Sequence, residues 1–509
     1  MTKASGSRPS FSLVTNSRWN LVAFGASLAA QFVAVPFALK WIGLEAFGGA
    51  AVVLSICAPM SLVGTVLGQA LIREISSRDF LGETSTIEAY TSAAMRWCLL
   101  ICLMGALALV LFGPSIASVL VSVEVSYTSL LLAFLIAASG SMSQQVVFVL
   151  QSVSAAQQDY QTVARITIFS AFVSSILILL FSWMYSNSNG YLIGVSFGFH
   201  ASALVWLWRW KACIKWNSIF SMLPLRETKA LIKFGKWQGL AQFAGVMGNQ
   251  IDRYALGAMA SVSAVGQFTV ANRLQEAAYI GVMKAGEVVF PRFGSMSSSE
   301  SSERQAFFLN VSWAMGVLSS VILAPLAVLS TDVLALWVGP EAAVGADHML
   351  SVLVIGGIIG SASNVFTYYA MGIGRNASVA GIATLFSLLT IILTVALINI
   401  LGPQAAGGGL LIASIFRVFA SILLTRKLFF PGLGWGNLCV SIVIPPLVGV
   451  VVALAGQYII GAGAKGWIAT GGCYLTLCAV VIFVNILASC STRQGRRILR
   501  TLSRDTWGH

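Results

Sequence analysis

The stretch ASVAGIATLFSLLTIILTVALINI, from Ala377 to Ile400, decides the fold. It holds no ionisable side chain. As a helix rising 1.5 Å per residue it is about 36 Å long, enough to cross a hydrocarbon core of roughly 30 Å. Its apolar residues run continuously, whereas a barrel strand alternates over about ten residues. Runs of the same kind recur along the chain, at 19–42, 46–72, 93–113, 128–152, 161–183, 190–209, 234–259, 264–290, 306–330, 349–372, 404–425, 436–460 and 466–489. The fold class expected is an all-α polytopic membrane protein of about fourteen transmembrane helices.

Composition agrees. Of 509 residues, 9% are charged and 57% hydrophobic, against about 25% charged in a soluble domain. Such a chain cannot cover a globular surface with ions, so a soluble enzyme is excluded. The eight cysteines form no CxxC pair and no cluster with His at metal-ligand spacing, which predicts apolar core residues and no metal. No GxxxxGK[ST] loop occurs, and no cofactor is expected. The first apolar run is too long for a signal peptide and reads as a retained helix.

The net charge of +13 is topology before it is binding. With the N-terminus placed in the cytoplasm and the runs alternating, 24 of the 30 Lys and Arg fall on cytoplasmic ends and only Lys40 and Lys465 outside. Both termini are therefore expected inside, and no nucleic-acid partner is needed to explain the cations. The largest cluster, Arg209 to Lys236, lies between runs six and seven.

The chain also repeats. At a shift of 218 residues, Trp19-Asn20 falls opposite Trp237-Gln238, Gln31 opposite Asn249 and Gly48 opposite Gly266. At 220, Gly140-Ser-Met-Ser-Gln144 falls opposite Gly360-Ser-Ala-Ser-Asn364. A repeat of six helices is even, so both copies run the same way about an axis along the membrane normal. The expected organisation is a cytoplasmic tail at 1–18, a six-helix lobe at 19–209, a basic linker at 210–233, a second six-helix lobe at 234–427, two extra helices at 436–489 and a basic cytoplasmic tail at 490–509. Two such lobes around a cleft can open it to alternate sides, as secondary transporters do.

Four cations stay at depth: Arg253, Arg273, Lys284 and Arg417, with the acids Asp252, Glu276 and Glu287. Charge at the bilayer centre costs at least about 2.5 kcal/mol on insertion scales, so such groups face protein or water. On run eight, Arg273, Glu276, Ile280, Lys284 and Glu287 fall within roughly 80° of arc; on run seven, Gln238, Gln242, Asn249 and Arg253 fall within about 60°. Asn16, Asn20, Ser27 and Gln31 share a face of run one, and Gln144, Gln151 and Gln158 recur at seven-residue steps on run four. Two readings stand: a hydrated cleft lined by these faces, or i to i+3 ion pairs, Arg273–Glu276 and Lys284–Glu287, that hold the bundle together. Arg417 has no acid near it in sequence. Arginine suits bidentate phosphate recognition, so a cleft presenting Arg253, Arg273 and Arg417 suits a pyrophosphate. In runs seven and eight three cations meet three carboxylates, so net positive potential depends on Arg417 or on protonation of Glu276 or Asp252. His200 reads as a hydrogen-bonded core histidine.

These residues carry a resemblance. Asn249-Gln-Ile-Asp-Arg-Tyr-Ala-Leu-Gly257, Ala264-Val-Gly-Gln-Phe268, Ala271-Asn-Arg-Leu274 and Val289-Phe-Pro-Arg-Phe293 resemble the seventh and eighth helices of polysaccharide exporters, and Trp19-Asn20 with Pro36-Phe37 is similar to their first. The family is the Wzx-type flippases of lipid-linked oligosaccharides, in the multidrug/oligosaccharidyl-lipid/polysaccharide (MOP) exporter superfamily with the MATE antiporters and MurJ. The resemblance implies a V of two lobes in a bacterial inner membrane and no enzymatic activity. It implies that an undecaprenyl-pyrophosphate-linked glycan, destined for O-antigen, capsule or exopolysaccharide, crosses through a cationic cavity while its tail stays among the membrane lipids. Cavity residues are then Arg253, Arg273, Arg417, Lys284, Asn249, Gln31 and Gln144. Asp252, Glu276 and Glu287 are candidates to couple H+ or Na+. Glycosyltransferases and a polysaccharide polymerase are the expected partners. The alternatives are a MATE-like drug antiporter and a MurJ-like lipid II flippase. Both lose ground here, because run one lacks an acid and runs one and two lack arginine at depth.

Overall fold

The computed structural model describes residues 13–76, 84–120, 126–211, 225–287, 293, 300–373, 375–460, 466–492, 495–496 and 498. Among them the regular structure is helical throughout. The first six runs give α1 (Leu13–Ile42), α2 (Leu44–Cys57), α3 (Ser61–Ser76), α4 (Thr84–Leu120), α5 (Tyr127–Ala156), α6 (Tyr160–Tyr185) and α7 (Ser188–Trp210). Run two is one membrane span, Leu44–Ile75, in which α2 passes into α3 through a 3-10 turn at Ala58–Met60. Pro59 lacks the N–H that an unbroken helix would use there, which accounts for the turn.

The remainder gives α8 (Leu225–Met259), α9 (Val262–Glu287), α10 (Ser301–Val328), α11 (Ser330–Val338), α12 (Ala346–Ser361), α13 (Asn364–Gly372), α14 (Asn376–Leu401), α15 (Gly408–Leu424), α16 (Ile444–Ile460) and α17 (Trp467–Cys490). Eleven helices among the described residues are long and apolar enough to cross a membrane. The pair α12 and α13, bent by 41° at Ala362–Ser363, makes twelve if it is counted as one broken span. The expectation of fourteen also counted α8 and α9. Both are long helices, but the polar stripes that set them apart in sequence make them less apolar than the other spans.

The chain divides into two compact units. The first holds residues 1–43, 56–116 and 125–240. In it α5 packs against α3 and α7, and α6 against α7 and α1. Its core is built on Leu71, Tyr90, Met95, Cys98, Leu150 and Trp206. Cys57, Cys98 and Cys102 are buried free thiols, as expected of small core residues, while Cys439 and Cys490 are exposed. His200 Nδ1 lies 2.7 Å from Ser143 Oγ, the hydrogen-bonded state expected for it.

The second unit holds residues 44–55, 117–124 and 241–509. Here α10 is central: α12, α16 and α17 all pack on it, and α12 also meets α9 and α15. The two helices beyond the repeat are therefore integral to this unit. At one end of it Phe293, Phe308, Tyr369 and Phe430 form an aromatic cluster, with Phe293 and Tyr369 edge to face at 5.2 Å. The start of α2 crosses the start of α9 with almost no side chain between them. A Cβ on Gly48 would run into the carbonyl oxygen of Val262, and one on Gly266 would stand 2.6 Å from that of Leu44. Tyr254 Oη donates to the Ser55 carbonyl at 2.6 Å beside this crossing.

Candidate polar site on α8 and α9

Of the polar side chains of α8 and α9, Asp252 is buried and Arg253 and Arg273 are half-buried, while Asn249 and Glu276 are exposed. Arg253 is half-buried on α8. Its Nη1 donates to Gln250 Oε1 at 2.7 Å, one turn earlier, and its Nε to Thr269 Oγ1 of α9 at 3.3 Å. The guanidinium also lies 5.7 Å from the Phe268 ring centroid. Arg253 is thus pinned by both helices in the manner of a preorganised cation. Arg273, almost three turns along α9, lies over Phe47 of α2 at 5.7 Å. Glu276 is exposed and accepts from Asn272 Nδ2 at 2.8 Å. Arg273 and Glu276 both fall within electrostatic range of Arg253. Asp252, next to Arg253 in the chain, also lies within that range, so two carboxylates accompany the two guanidinium groups.

Asp252 has a different place. Its carboxyl is buried and Oδ1 accepts the Gly407 N–H at 2.8 Å. Gly407 sits at φ +82° in the turn between α14 and α15, a backbone conformation that glycine adopts without strain. Asp252 therefore ties α8 to that turn.

Arg417 forms a second centre, at the middle of the span Pro403–Phe429. It is half-buried, stacks 5.1 Å over Phe386 of α14 and lies within electrostatic range of Tyr279 and Tyr368. Among the described residues no carboxylate pairs with it. Tyr279 Oη accepts from Asn364 Nδ2 at 3.0 Å, and Tyr368 Oη donates to the Met283 carbonyl at 3.2 Å. Asn364 opens α13 at the bend, and it is the residue that the repeat sets opposite Gln144.

A third feature is apolar. Leu274, Ala277 and Ala278 of α9 face Trp467, Thr470 and Tyr474 of α17 across a groove of about 300 Å³. These α9 positions lie roughly a third of a turn round the helix from Arg273 and Glu276.

The structure thus brings Arg273 and Glu276 into range of Arg253, gives Arg417 aromatic neighbours, and gives Asp252 a backbone partner. Asn249 is exposed on α8. Gln31, exposed, and Gln144, half-buried, belong to the first unit. The side chains of Lys284 and Glu287 lie outside the described residues, as do most of the basic linker, the tail beyond 498 and most of the motif at 289–293. No group of three metal-ligating side chains occurs among the described residues. Sequence reading missed Tyr279, Tyr368 and Phe386, which look like ordinary apolar-helix aromatics. It also passed over Gln145, which is fully buried, receives the Gly64 N–H at 3.1 Å and donates to the Ser141 carbonyl. Residues 144 and 145 differ by about 100° on the helix, and sequence alone did not say which of them faces α3.

A family model described as "Polysaccharide biosynthesis protein" matches residues 13–297, more than half of the chain. The chain belongs to this family of polysaccharide biosynthesis proteins. The "Uncharacterized membrane protein EpsK" of Bacillus subtilis strain 168 is 26% identical over 266 residues, 49% of this chain and 50% of that one. The chain thus matches about half the length of this curated relative. Among solved structures, the lipid II flippase MurJ in an inward closed conformation is similar with a TM-score of 0.70 and 13% identity, over 92% of this chain and 98% of MurJ. An inward-facing MATE multidrug transporter of the MOP superfamily is similar with a TM-score of 0.62 and 12% identity, over 80% of this chain and 97% of that one. The fold is that of the MOP exporters, as the resemblance implied.

Proposed function

We propose that the chain is a flippase for lipid-linked glycans, moving an undecaprenyl-pyrophosphate-linked oligosaccharide from the inner to the outer leaflet of a bacterial inner membrane. The observation that carries this reading is α9. One face bears Arg273 and Glu276 beside Arg253, and a neighbouring face lines the apolar groove. A helix that offers cations on one side and an apolar trough on the next suits an amphiphile with an anionic head and a hydrocarbon tail. Arg253 and Arg273 receive the pyrophosphate by charge-assisted hydrogen bonds, and the groove takes part of the polyprenyl chain. Membership of a polysaccharide biosynthesis family supports the glycan.

In this reading both termini face the cytoplasm, where most cations lie, and the protein transports without transforming its substrate. Glu276, exposed beside two arginines, is the carboxylate placed to exchange a coupling proton or sodium ion. Asp252 is instead structural.

The test is reconstitution of the full chain in vesicles, with a fluorescent undecaprenyl-pyrophosphate oligosaccharide in one arm and a cationic dye in the other. Movement of the lipid-linked sugar that is lost in Arg273→Ala supports the reading. Dye transport with a stationary glycan lipid would show a drug antiporter and overturn it.

A further inference from the structure

We infer that the Arg417 centre is a separate subsite for a carboxylate on the glycan, so that the substrate carries an acidic sugar. The inference rests on the glycan-lipid reading above and adds a charge requirement to it. Arg417 stands at mid-span with no carboxylate partner among the described residues. An intramembrane guanidinium in that position is costly and marks a ligand or water path. Its face is occupied by Phe386. The donors of a guanidinium lie in its plane, so stacking leaves the edge open for a bidentate acceptor. Around it stand Tyr279 and Tyr368, and Asn364 is fixed to Tyr279. Hydroxyl and amide groups beside aromatic surface are what a pyranose needs.

Two observations separate this centre from the pyrophosphate. The pyrophosphate joins glycan to tail, so it belongs beside the apolar groove, whose neighbouring cation on α9 is Arg273. Arg417 is on α15 and lies over Phe386 of α14, whereas Arg253 and Arg273 are on α8 and α9 and lie over Phe268 and Phe47. The charges also match. A pair of arginines suits the multiple charge of a pyrophosphate, and a single guanidinium suits one carboxylate. Asn364 belongs to the repeat-matched segment, but the first unit keeps an unbroken helix there while the second bends. The matched segments therefore present their polar groups differently, Asn364 to Tyr279 in the second unit and Gln145 to the Gly64 N–H in the first.

The test is saturation-transfer NMR on the full chain in nanodiscs, with methyl glucuronide, methyl glucoside and inorganic pyrophosphate as probes. Methyl glucuronide is expected to bind at least about tenfold more tightly than the neutral glucoside, the effect of one charge-assisted contact. Arg417→Gln should abolish that preference and leave pyrophosphate binding unchanged, whereas Arg253→Gln should do the reverse. Arg417→Lys keeps the charge but not the fork and should give an intermediate value. It also serves as the working variant if Arg417→Gln fails to accumulate. Equal binding of both sugars, or a glucuronide preference that survives in both Arg417 variants, overturns the inference, and so does loss of pyrophosphate binding alone in Arg417→Gln. Absence of pyrophosphate binding with an intact, Arg417-dependent glucuronide preference would instead count against the pyrophosphate reading and leave this one standing.

Discussion

Gly48 and Gly266 cross reciprocally: each lies against the carbonyl of the residue four positions before the other, Val262 and Leu44. The sequence repeat sets these two glycines opposite one another at a shift of 218. A reciprocal contact between repeat-matched residues is what a local two-fold relation produces. The crossing is backbone on backbone, so it has no flexible side chain with which to absorb an added methyl. Gly266→Val is expected to destabilise this arrangement by about 1–3 kcal/mol, the usual cost of overpacking. Gly281→Ala, with open space around it, should be neutral. Thermal unfolding in detergent compares the two, and equal melting curves would contradict the close crossing.

Asp252 separates a structural carboxylate from an ion-coupling one. Asparagine keeps an oxygen that can accept the Gly407 N–H, but alanine leaves a buried donor unpaired, at about 1–3 kcal/mol. Asp252→Asn is expected to keep wild-type thermal stability and transport, while Asp252→Ala loses stability. Transport abolished in a stable Asp252→Asn protein would return Asp252 to the coupling ion.

Arg253 is held by partners from both α8 and α9, so its loss should be felt in transport more than in folding. Arg253→Gln is expected to lower glycan-lipid flipping by about ten- to a hundredfold, the equivalent of one charge-assisted contact of about 1.5–3 kcal/mol. Surface polysaccharide, measured at matched protein levels, reports the effect. Full polysaccharide would remove Arg253 from the site.

The groove between α9 and α17 can be filled from one side. Ala278→Trp places an indole in the space beside Tyr474. It should reduce flipping of a long-chain substrate several-fold while a short-chain analogue still moves. Equal inhibition of both would indicate a general packing defect.

Much of the architecture was readable in the sequence because lipid imposes a simple rule, continuous apolar length. Ala377–Ile400, which lies within α14, shows it. The stripes on α8 and α9 were readable for the same reason in reverse, as breaks in that apolar length. What escaped was anything set by contacts distant in sequence. The Gly407 partner of Asp252 lies 155 residues away. The bend at Ala362–Ser363 falls in a run with no proline, so composition gave no sign of it. Arg417 was noticed for its isolation, but its aromatic neighbours come from three other helices, and no local pattern joins them.

The two faces of α9 have a consequence for how substrate preference can change. On the flippase reading proposed above, head group and hydrocarbon chain meet one rigid rod, so a graft of α9 from a relative would be expected to transfer both preferences as a unit. On the same reading, a sugar subsite centred on Arg417 draws most of its residues from α13, α14 and α15 and shares only Tyr279 with α9, so it has more room to drift. A flippase so built would accommodate a new glycan while keeping its grip on the carrier lipid.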